Sequence, residues 1–480
     1  MPSNVLLICT DHWSASLLGS AGHPTILSPT LDQLAASGVR FTNAYSECPI
    51  CIPARRTLMT GCSPKAQGDR SYKGNSPMPD LPTVAQTFRD AGYQAFASGK
   101  LHVYPPRNRI GFDDVMLGEE GRTQFGATDD YEIFLGDQGF AGKQFAGGMC
   151  NNDYLYRPWH LPEDCHVTNW TTHQMTRYIQ RRDPRKPGFF YLSYCHPHPP
   201  LNPLRDYLDM YRDVDPGLPY TGDWSDDPLA LPARLRNERN QQPLNDHQVL
   251  WARRAFFAHC THIDHQIRVV IGTLASEGLL NDTVICFTSD HGDMLGNHHL
   301  WGKSLFYEDS ANVPMILLGP AGDERVGHHR VDDRLVGWQD IMPTLLDVAG
   351  VPIPDTCTGV SMVGNQTRDT LYGEINENAG ATRMIRDARH KLIYYPSGNI
   401  LHLFDLQEDP QERVDLSQST SHADIRRRLA NLLMQEFYGG DEDWVKDGEL
   451  VGLPEVPYEP TPNRGLHGQR GSHWPVPRQR

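Results

Sequence analysis

No apolar run in the sequence is long enough to cross a bilayer as a helix. Positive charge is scarce: 44 Lys and Arg against 59 Asp and Glu leave a formal net charge of −15. That balance argues against a chain whose main task is to grip nucleic acid or an anionic membrane. A disulfide framework is also missing. The ten cysteines are scattered through 480 residues, several of them inside apolar runs, so buried reduced thiols are expected. Met1-Pro2-Ser3 carries no basic stretch and no small-residue cleavage site, so no signal peptide is read and a cytoplasmic location is expected. There is no internal repeat. What is present is a globular composition, 39% hydrophobic and 9% aromatic, too apolar for a disordered chain. The length allows one large α/β domain plus an appendage.

Short apolar runs alternate with amphipathic stretches, the pattern of a mostly parallel sheet flanked by helices. Val5–Cys9, Tyr93–Ala97, Phe189–Tyr194, Thr283–Thr288 and Val313–Leu318 read as strands. Helices are expected after Ser28-Pro29-Thr30 up to Gly38, over Leu81–Ala91, over Leu244–Leu274 and over Ile341–Val348. Beyond about Val363 the pattern changes. Thr382–Arg386, Lys391–Tyr395 and Leu401–Phe404 are short runs separated by turns, as in a small antiparallel sheet, and a helix is expected over Ala423–Phe437. The expected division is 1–365 for an α/β body, 366–445 for a small α+β domain and 446–480 for a proline-rich extended tail. Such a tail leaves room for contacts in a homo-oligomer.

The strands end in chemistry. Val5–Cys9 is followed by Asp11-His12, Tyr93–Ala97 by Lys100-Leu101-His102, Phe189–Tyr194 by His196-Pro197-His198, and Thr283–Thr288 by Asp290-His291. In open α/β sheets the ligand crevice lies beyond the carboxyl ends of the strands, so these groups are expected in one place. Each alone has a plainer reading. Asp11 would serve as a helix cap, Lys100 as a solvated turn residue, His198 as a rigid-loop histidine and Asp290-His291-Gly292 as a turn. Together, two carboxylates and an imidazole suit a divalent cation. Lysines and further histidines suit an anionic group and proton transfer to a leaving group.

Glu47-Cys48-Pro49-Ile50-Cys51-Ile52-Pro53-Ala54-Arg55 leads to Leu58-Met59-Thr60-Gly61. Pro53 suits a first helical turn and Gly61 a stop, placing Cys51 at a helix N-terminus. There the helix dipole and Arg55 favour an anion. The plainer reading is a buried structural thiol.

Cys51-Ile52-Pro53-Ala54-Arg55 with Leu58-Met59-Thr60-Gly61 resembles the C-x-P-x-R signature of the type I sulfatases. The opening strand with Asp11, Gly99-Lys100-Leu101-His102, Pro197-His198-Pro199-Pro200, Ser289-Asp290-His291-Gly292-Asp293 through Trp301-Gly302-Lys303, and the closing Leu403-Phe404-Asp405-Leu406 with Glu412 follow in the family's order. The resemblance spans the chain to about residue 440. It implies an alkaline-phosphatase-like α/β fold with a small C-terminal domain. It also implies an arylsulfatase-like sulfuric ester hydrolase in which Cys51 is oxidised to formylglycine (3-oxoalanine) by a maturation enzyme.

On the same resemblance, Asp11, position 51, Asp290 and His291 would hold one divalent cation, Ca²⁺ with Mn²⁺ as the alternative. The formylglycine hydrate would attack sulfur, His198 or Lys303 would protonate the leaving alcohol, and His102 would take the second hydroxyl's proton. Arg55 and Lys100 would hold the formylglycine and a sulfate oxygen. Arg55, Lys100, Lys303 and the cation are expected to make a local positive pocket in an acidic protein. The chain departs from the family at His12, where many members carry a second Asp; at His291, where members vary between Asn and His; and at Ala54, where Ser is frequent. Two other readings stand beside this one. The first is a phosphonate monoester or phosphodiester hydrolase of the same superfamily. The second is a metal-binding scaffold with unmodified Cys51. The substrate is expected to be a small-molecule or sugar sulfate ester. Its alcohol half would face residues between Asp114 and His160, such as Glu119, Arg122, Asn152, Asp153, Trp159 and His160.

Overall fold

The computed structural model describes residues 3–120, 126–225, 230–235 and 244–460, with the backbone alone for 236–240. Its centre is an eight-stranded sheet in the order β4-β3-β5-β1-β6-β7-β2-β8. The strands are β1 (Asn4–Asp11), β2 (Val39–Tyr45), β3 (Gln94–Gly99), β4 (Asp114–Leu117), β5 (Gly188–Pro197), β6 (Thr283–Ser289), β7 (Met315–Leu318) and β8 (Arg330–Gly337). All neighbours are parallel except β7, which runs antiparallel to both β6 and β2.

β1 explains the layering. All eight of its residues are buried, and side chains alternate between faces. Val5, Leu7 and Cys9 join one core with helices Cys51–Thr60, Val84–Asp90 and Ile341–Ala349. Leu6 and Ile8 join the other with helices Pro29–Ser37, Val167–Arg181 and Asp246–Ser276. A sheet covered on both faces reads as continuous apolar strands, which is why β1, β5 and β6 are visible in sequence. The long helix starts one residue after Asn245, whose side chain accepts the Gln248 N–H at 3.0 Å while the Gln248 side chain accepts the Asn245 N–H at 3.0 Å. This reciprocal cap fixes the start that hydrophobic periodicity only approximates.

β2, β4, β8 and the helix Val167–Arg181 were not expected from sequence. β8 is an edge strand with Arg330, Asp332, Asp333 and Arg334 in its first five residues, charge that discourages edge pairing and hides the strand pattern. β4 has only four residues.

A second sheet, order β12-β11-β10-β9, is wholly antiparallel: β9 (Leu371–Ile375), β10 (Thr382–Arg386), β11 (His390–Tyr395) and β12 (Ile400–Asp405). One face carries Leu429 and Leu433 of the helix Ala423–Glu436. The other face packs Met384, Ile393 and Phe404 on Tyr45, Phe306 and Tyr307 of the main body. Buried Lys391 ties the two sheets together, 2.6 Å from Glu308 and 2.7 Å from Glu412. The expected extended tail does not begin as one. Val445–Lys446 and Glu449–Leu450 form a two-stranded hairpin and Leu453 bridges to Ser397, because Trp444 buries itself among Tyr394 and Phe437. The tail residues 461–480 lie outside the described residues. All ten cysteines are free thiols. No described helix is long and apolar enough to cross a membrane.

Ile8 is fully buried in the central strand, whereas Val331 on edge strand β8 is 62% exposed. Ile8→Ala is expected to cost about 2–5 kcal/mol, and Val331→Ala within about 0.5 kcal/mol of nothing. Thermal and denaturant midpoints of the two variants check the contrast.

Candidate active site

β3, β5, β1 and β6 are adjacent and parallel, so their carboxyl ends share one edge. Asp11 closes β1 opposite Pro197, with a register irregularity between Cys9 and Asp11; such bulges re-aim side chains beside sites. Gly99 precedes Lys100 with φ +101°, and a Cβ there would lie 1.8 Å from the Ser193 carbonyl oxygen. Only glycine lets β3 close on β5 at that point. His12 and His102 also take left-handed backbone, φ 75° and 61°, turning the chain sharply as it leaves each strand.

The helix Cys51–Thr60 is buried throughout and ends at Gly61 with φ 65°. Its first residue, Cys51, faces the strand ends. Lys303 Nζ donates to Cys51 Sγ at 2.8 Å, His291 Nε2 lies 3.3 Å away and Asp11 Oδ1 3.8 Å. Arg55, one turn on, is committed to the protein. Nε donates to Asp290 Oδ2 at 3.0 Å, and the terminal nitrogens reach Asp11 Oδ2 at 3.4 Å, Ser193 Oγ at 2.8 Å, Tyr191 Oη at 3.1 Å and the Lys100 carbonyl at 3.0 Å. Arg55 therefore clamps the two carboxylates. Lys100 Nζ contacts both Asp11 and Glu120.

Asp11, Cys51, Asp290 and His291 each offer a ligand atom, and these atoms lie within 4.8 Å of one another. Burial and the neighbouring Asp11 push Asp290 up to about 7, against the pull of His291 and Arg55. Burial would also raise Asp11, but Lys100 and Lys303 hold it well below the usual carboxylate range. Asp290 Oδ1 is buried with no hydrogen-bond partner among the described residues. Two facing carboxylates, an imidazole and an unpartnered oxygen are a donor set that a divalent cation satisfies; the residues fit one.

Next to this group is a cradle for an oxyanion. The Glu120 carboxylate sits against Lys100, 3.5 Å from His198 Nε2 and 4.0 Å from His102 Nε2. Burial would raise Glu120, yet Lys100 and His198 bring it down to about 2. Burial takes His198 down to about 3 and His291 to about 4. The expected positive groups do converge: Arg55, Lys100 and Lys303 all approach Asp11, Lys303 at 3.8 Å. They face Asp11, Asp290 and Glu120, so the side chains balance and a bound cation would set the excess.

Beyond His198 a cavity is lined by Glu119, Glu120, Tyr131, Gln144, Phe145 and Trp159 among others. Of the residues expected on the alcohol side, Glu119 and Trp159 are on this wall. His160 turns away to the Lys143 carbonyl at 2.8 Å, and Asp153 accepts the Cys150 N–H at 3.4 Å. Asn152 is not on the wall, and Arg122 lies outside the described residues. Glu120 was missed in sequence because a Glu in a loop carries no periodic or motif signal.

Residues 3–351 match the sulfatase family, and residues 296–437 match the N-sulphoglucosamine sulphohydrolase C-terminal family. The chain belongs to the sulfatase family. An arylsulfatase of Clostridium perfringens is 34% identical over 481 residues, covering 95% of this chain and 98% of the relative. A choline-sulfatase of Rhizobium meliloti is 29% identical, covering 87% and 82%. Among solved structures, a phosphonate monoester hydrolase from Silicibacter pomeroyi superposes with a TM-score of 0.75 at 25% identity, covering 90% of this chain and 94% of that one. The fold is thus the alkaline-phosphatase-like α/β fold of this sulfatase's relatives, and the enzyme hydrolyses sulfate esters.

Arg55→Ala in this sulfatase leaves Asp11 and Asp290 buried beside each other without their clamp. The expected cost is about 3–5 kcal/mol, and Arg55→Lys is not expected to restore it, because an ammonium cannot span both carboxylates. Comparing the thermal midpoints of both variants checks this.

Proposed function

We propose that the sulfatase works through formylglycine made from Cys51 and through one divalent cation held by Asp11, Asp290, His291 and position 51. The observation that supports this most is the position of Cys51: a buried thiol at a helix N-terminus, 2.8 Å from Lys303 Nζ and within the donor set. A structural thiol needs none of these neighbours. When bound, the cation would neutralise the carboxylates and make a hydroxyl of the hydrated side chain acidic enough to attack.

The chain's own residues supply the rest. Lys100 and Lys303 bracket the space beside position 51 and would neutralise charge gathering on sulfate oxygens. The anion cradle is rehearsed by the Glu120 carboxylate, which occupies the place a sulfate oxygen would take against Lys100 and His198. With Nδ1–H donated to the Pro199 carbonyl at 2.6 Å, His198 Nε2 faces the cavity and can protonate a departing alcohol only as the imidazolium, the form that the Glu120 carboxylate 3.5 Å away favours against burial. His102 Nε2, 3.5 Å from the Tyr72 hydroxyl, borders the same space and is suited to take the proton that accompanies sulfate release. Arg55 acts through the carboxylates it clamps. The aromatic wall of Tyr131, Phe145 and Trp159 suits a small sulfate ester with an apolar or aromatic alcohol. Residues 1–365 would carry the chemistry and 366–445 would brace it through Lys391 and Glu412.

Peptide mass spectrometry of the active enzyme is expected to find the aldehyde or its hydrate at position 51. Cys51→Ala is expected to lower kcat/KM for an aryl sulfate by at least about a thousandfold. Retained thiol in a fully active preparation, or unchanged turnover in the variant, would overturn the reading. Turnover of matched aryl sulfate and phenyl phosphonate esters separates the two hydrolase readings, with the sulfate expected to win. His198→Ala is expected to lower kcat by about 10²–10⁴, with the larger loss for the ester whose alcohol is the poorer leaving group. An equal loss for all esters would remove His198 from the proton-donor role.

A further inference from the structure

The cavity beside His198 measures about 420 Å³, the size of a small-ligand site. Several polar groups on its wall are spent on the protein. Glu119 Oε1 accepts the N–H groups of His102 and Leu101 at 2.9 and 3.3 Å, and the Glu120 carboxylate meets Lys100. The Tyr131 hydroxyl donates to the Cys165 carbonyl at 2.7 Å, and Trp159 Nε1 donates to the Pro162 carbonyl at 3.1 Å. Both rings are left with carbon surface to offer a ligand.

Two side-chain amides differ. Gln144 and Asn202 stand on the same wall. Gln144 Oε1 and Asn202 Oδ1 are each shut off from solvent and have no hydrogen-bond partner among the described residues. Their backbones, by contrast, are held. The Asn202 N–H donates to the Pro200 carbonyl at 2.9 Å and to His259 Nε2 at 3.1 Å. The turn around Gln144 is closed by the Ala146 N–H on the Lys143 carbonyl at 3.0 Å, and His160 Nε2 reaches that same carbonyl at 2.8 Å. A buried acceptor without a donor is costly, and native chains keep few of them. Two on one cavity wall are accounted for by a ligand that brings the donors. An ammonium group would call for a free carboxylate, and Glu119 and Glu120 are engaged. A hydroxyl both donates and accepts, so it answers an amide in either of its two orientations.

We propose that Gln144 and Asn202 are specificity-determining residues that select a sulfate ester whose ring alcohol carries a second, free hydroxyl. The ring would lie along Tyr131, Phe145 and Trp159, and the hydroxyl would meet the amides. The inference rests on the reading in which the departing alcohol occupies the cavity beside His198.

The test measures kcat/KM of the full-length enzyme for 2-, 3- and 4-hydroxyphenyl sulfate, for the matching methoxyphenyl sulfates and for phenyl sulfate. At least one hydroxyphenyl ester is expected to exceed both its methoxy partner and phenyl sulfate by about tenfold. Gln144→Met and Asn202→Leu keep side-chain bulk and remove the amide. Each is expected to reduce that preference by about three- to tenfold, with the thermal midpoint kept or raised, because neither amide oxygen is paired in the free enzyme. A preference within about twofold for all three hydroxyphenyl esters overturns the proposal and leaves sulfate-ester hydrolysis standing. An unchanged preference in both variants does the same, and a lowered midpoint beside it assigns the amides to structure. Failure of a preparation carrying the aldehyde at position 51 to turn over any of these esters overturns the underlying reading as well. The comparison of esters on the unmutated enzyme does not depend on any variant folding.

Discussion

The structure turns on one buried carboxylate. Asp11 is fully buried, where an unpaired charge would be prohibitively expensive. Lys100, Arg55 and Lys303 reach it from three other segments of the chain. Each of those cations is buried in turn and needs its own anion, which brings in Asp290 and Glu120. The requirement that every one of these charges be matched draws the ends of β3, β5, β1 and β6 together with the first turn of the helix Cys51–Thr60. The result is a charge cluster that no single element could hold.

This arrangement separates rigidity from chemistry. Arg55 gives its hydrogen bonds to Asp290, Asp11, Ser193, Tyr191 and the Lys100 carbonyl, and so spends its guanidinium on geometry. Lys303 donates to Cys51 Sγ, and Lys100 contacts Glu120 as well as Asp11. Asp290, pushed up by burial and by Asp11, is the member least satisfied by protein groups alone. That asymmetry suits the cluster to a cation better than a closed salt-bridge network would be suited. The small antiparallel sheet serves the same end from outside. Lys391 and Glu412 pin it to Glu308, which lies on the segment between Lys303 and β7.

Much of the site was legible because its residues follow strands that are apolar on both faces. A run such as Val5–Cys9 can only be a buried strand, and the polar residue after it must leave at the sheet edge. Cys51 and Arg55 were legible from Pro53 and Gly61, which bound a helix whatever surrounds it. Of the strands that escaped notice, β4 is short and β8 charged, and edge position rather than intrinsic pattern makes these two strands. The helix Val167–Arg181 is rich in threonine, arginine and glutamine and declares its buried face only against β5 and the long helix. The expected tail became a hairpin at its start because Trp444 had an aromatic slot to fill.

The residues by themselves determined the layered α/β class, the clustering of acidic, basic and imidazole groups at one sheet edge, and the helix that presents Cys51. These follow from local rules: strand periodicity, proline and glycine punctuation, and the sheet geometry that places strand ends together. Only the tertiary structure decided that Arg55 clamps carboxylates, that Glu120 meets Lys100, and that Asp293 pairs with His12. Those contacts join residues 235, 20 and 281 positions apart along the chain. Hydrogen-bond direction and burial at such separations are set by packing, which no local pattern encodes.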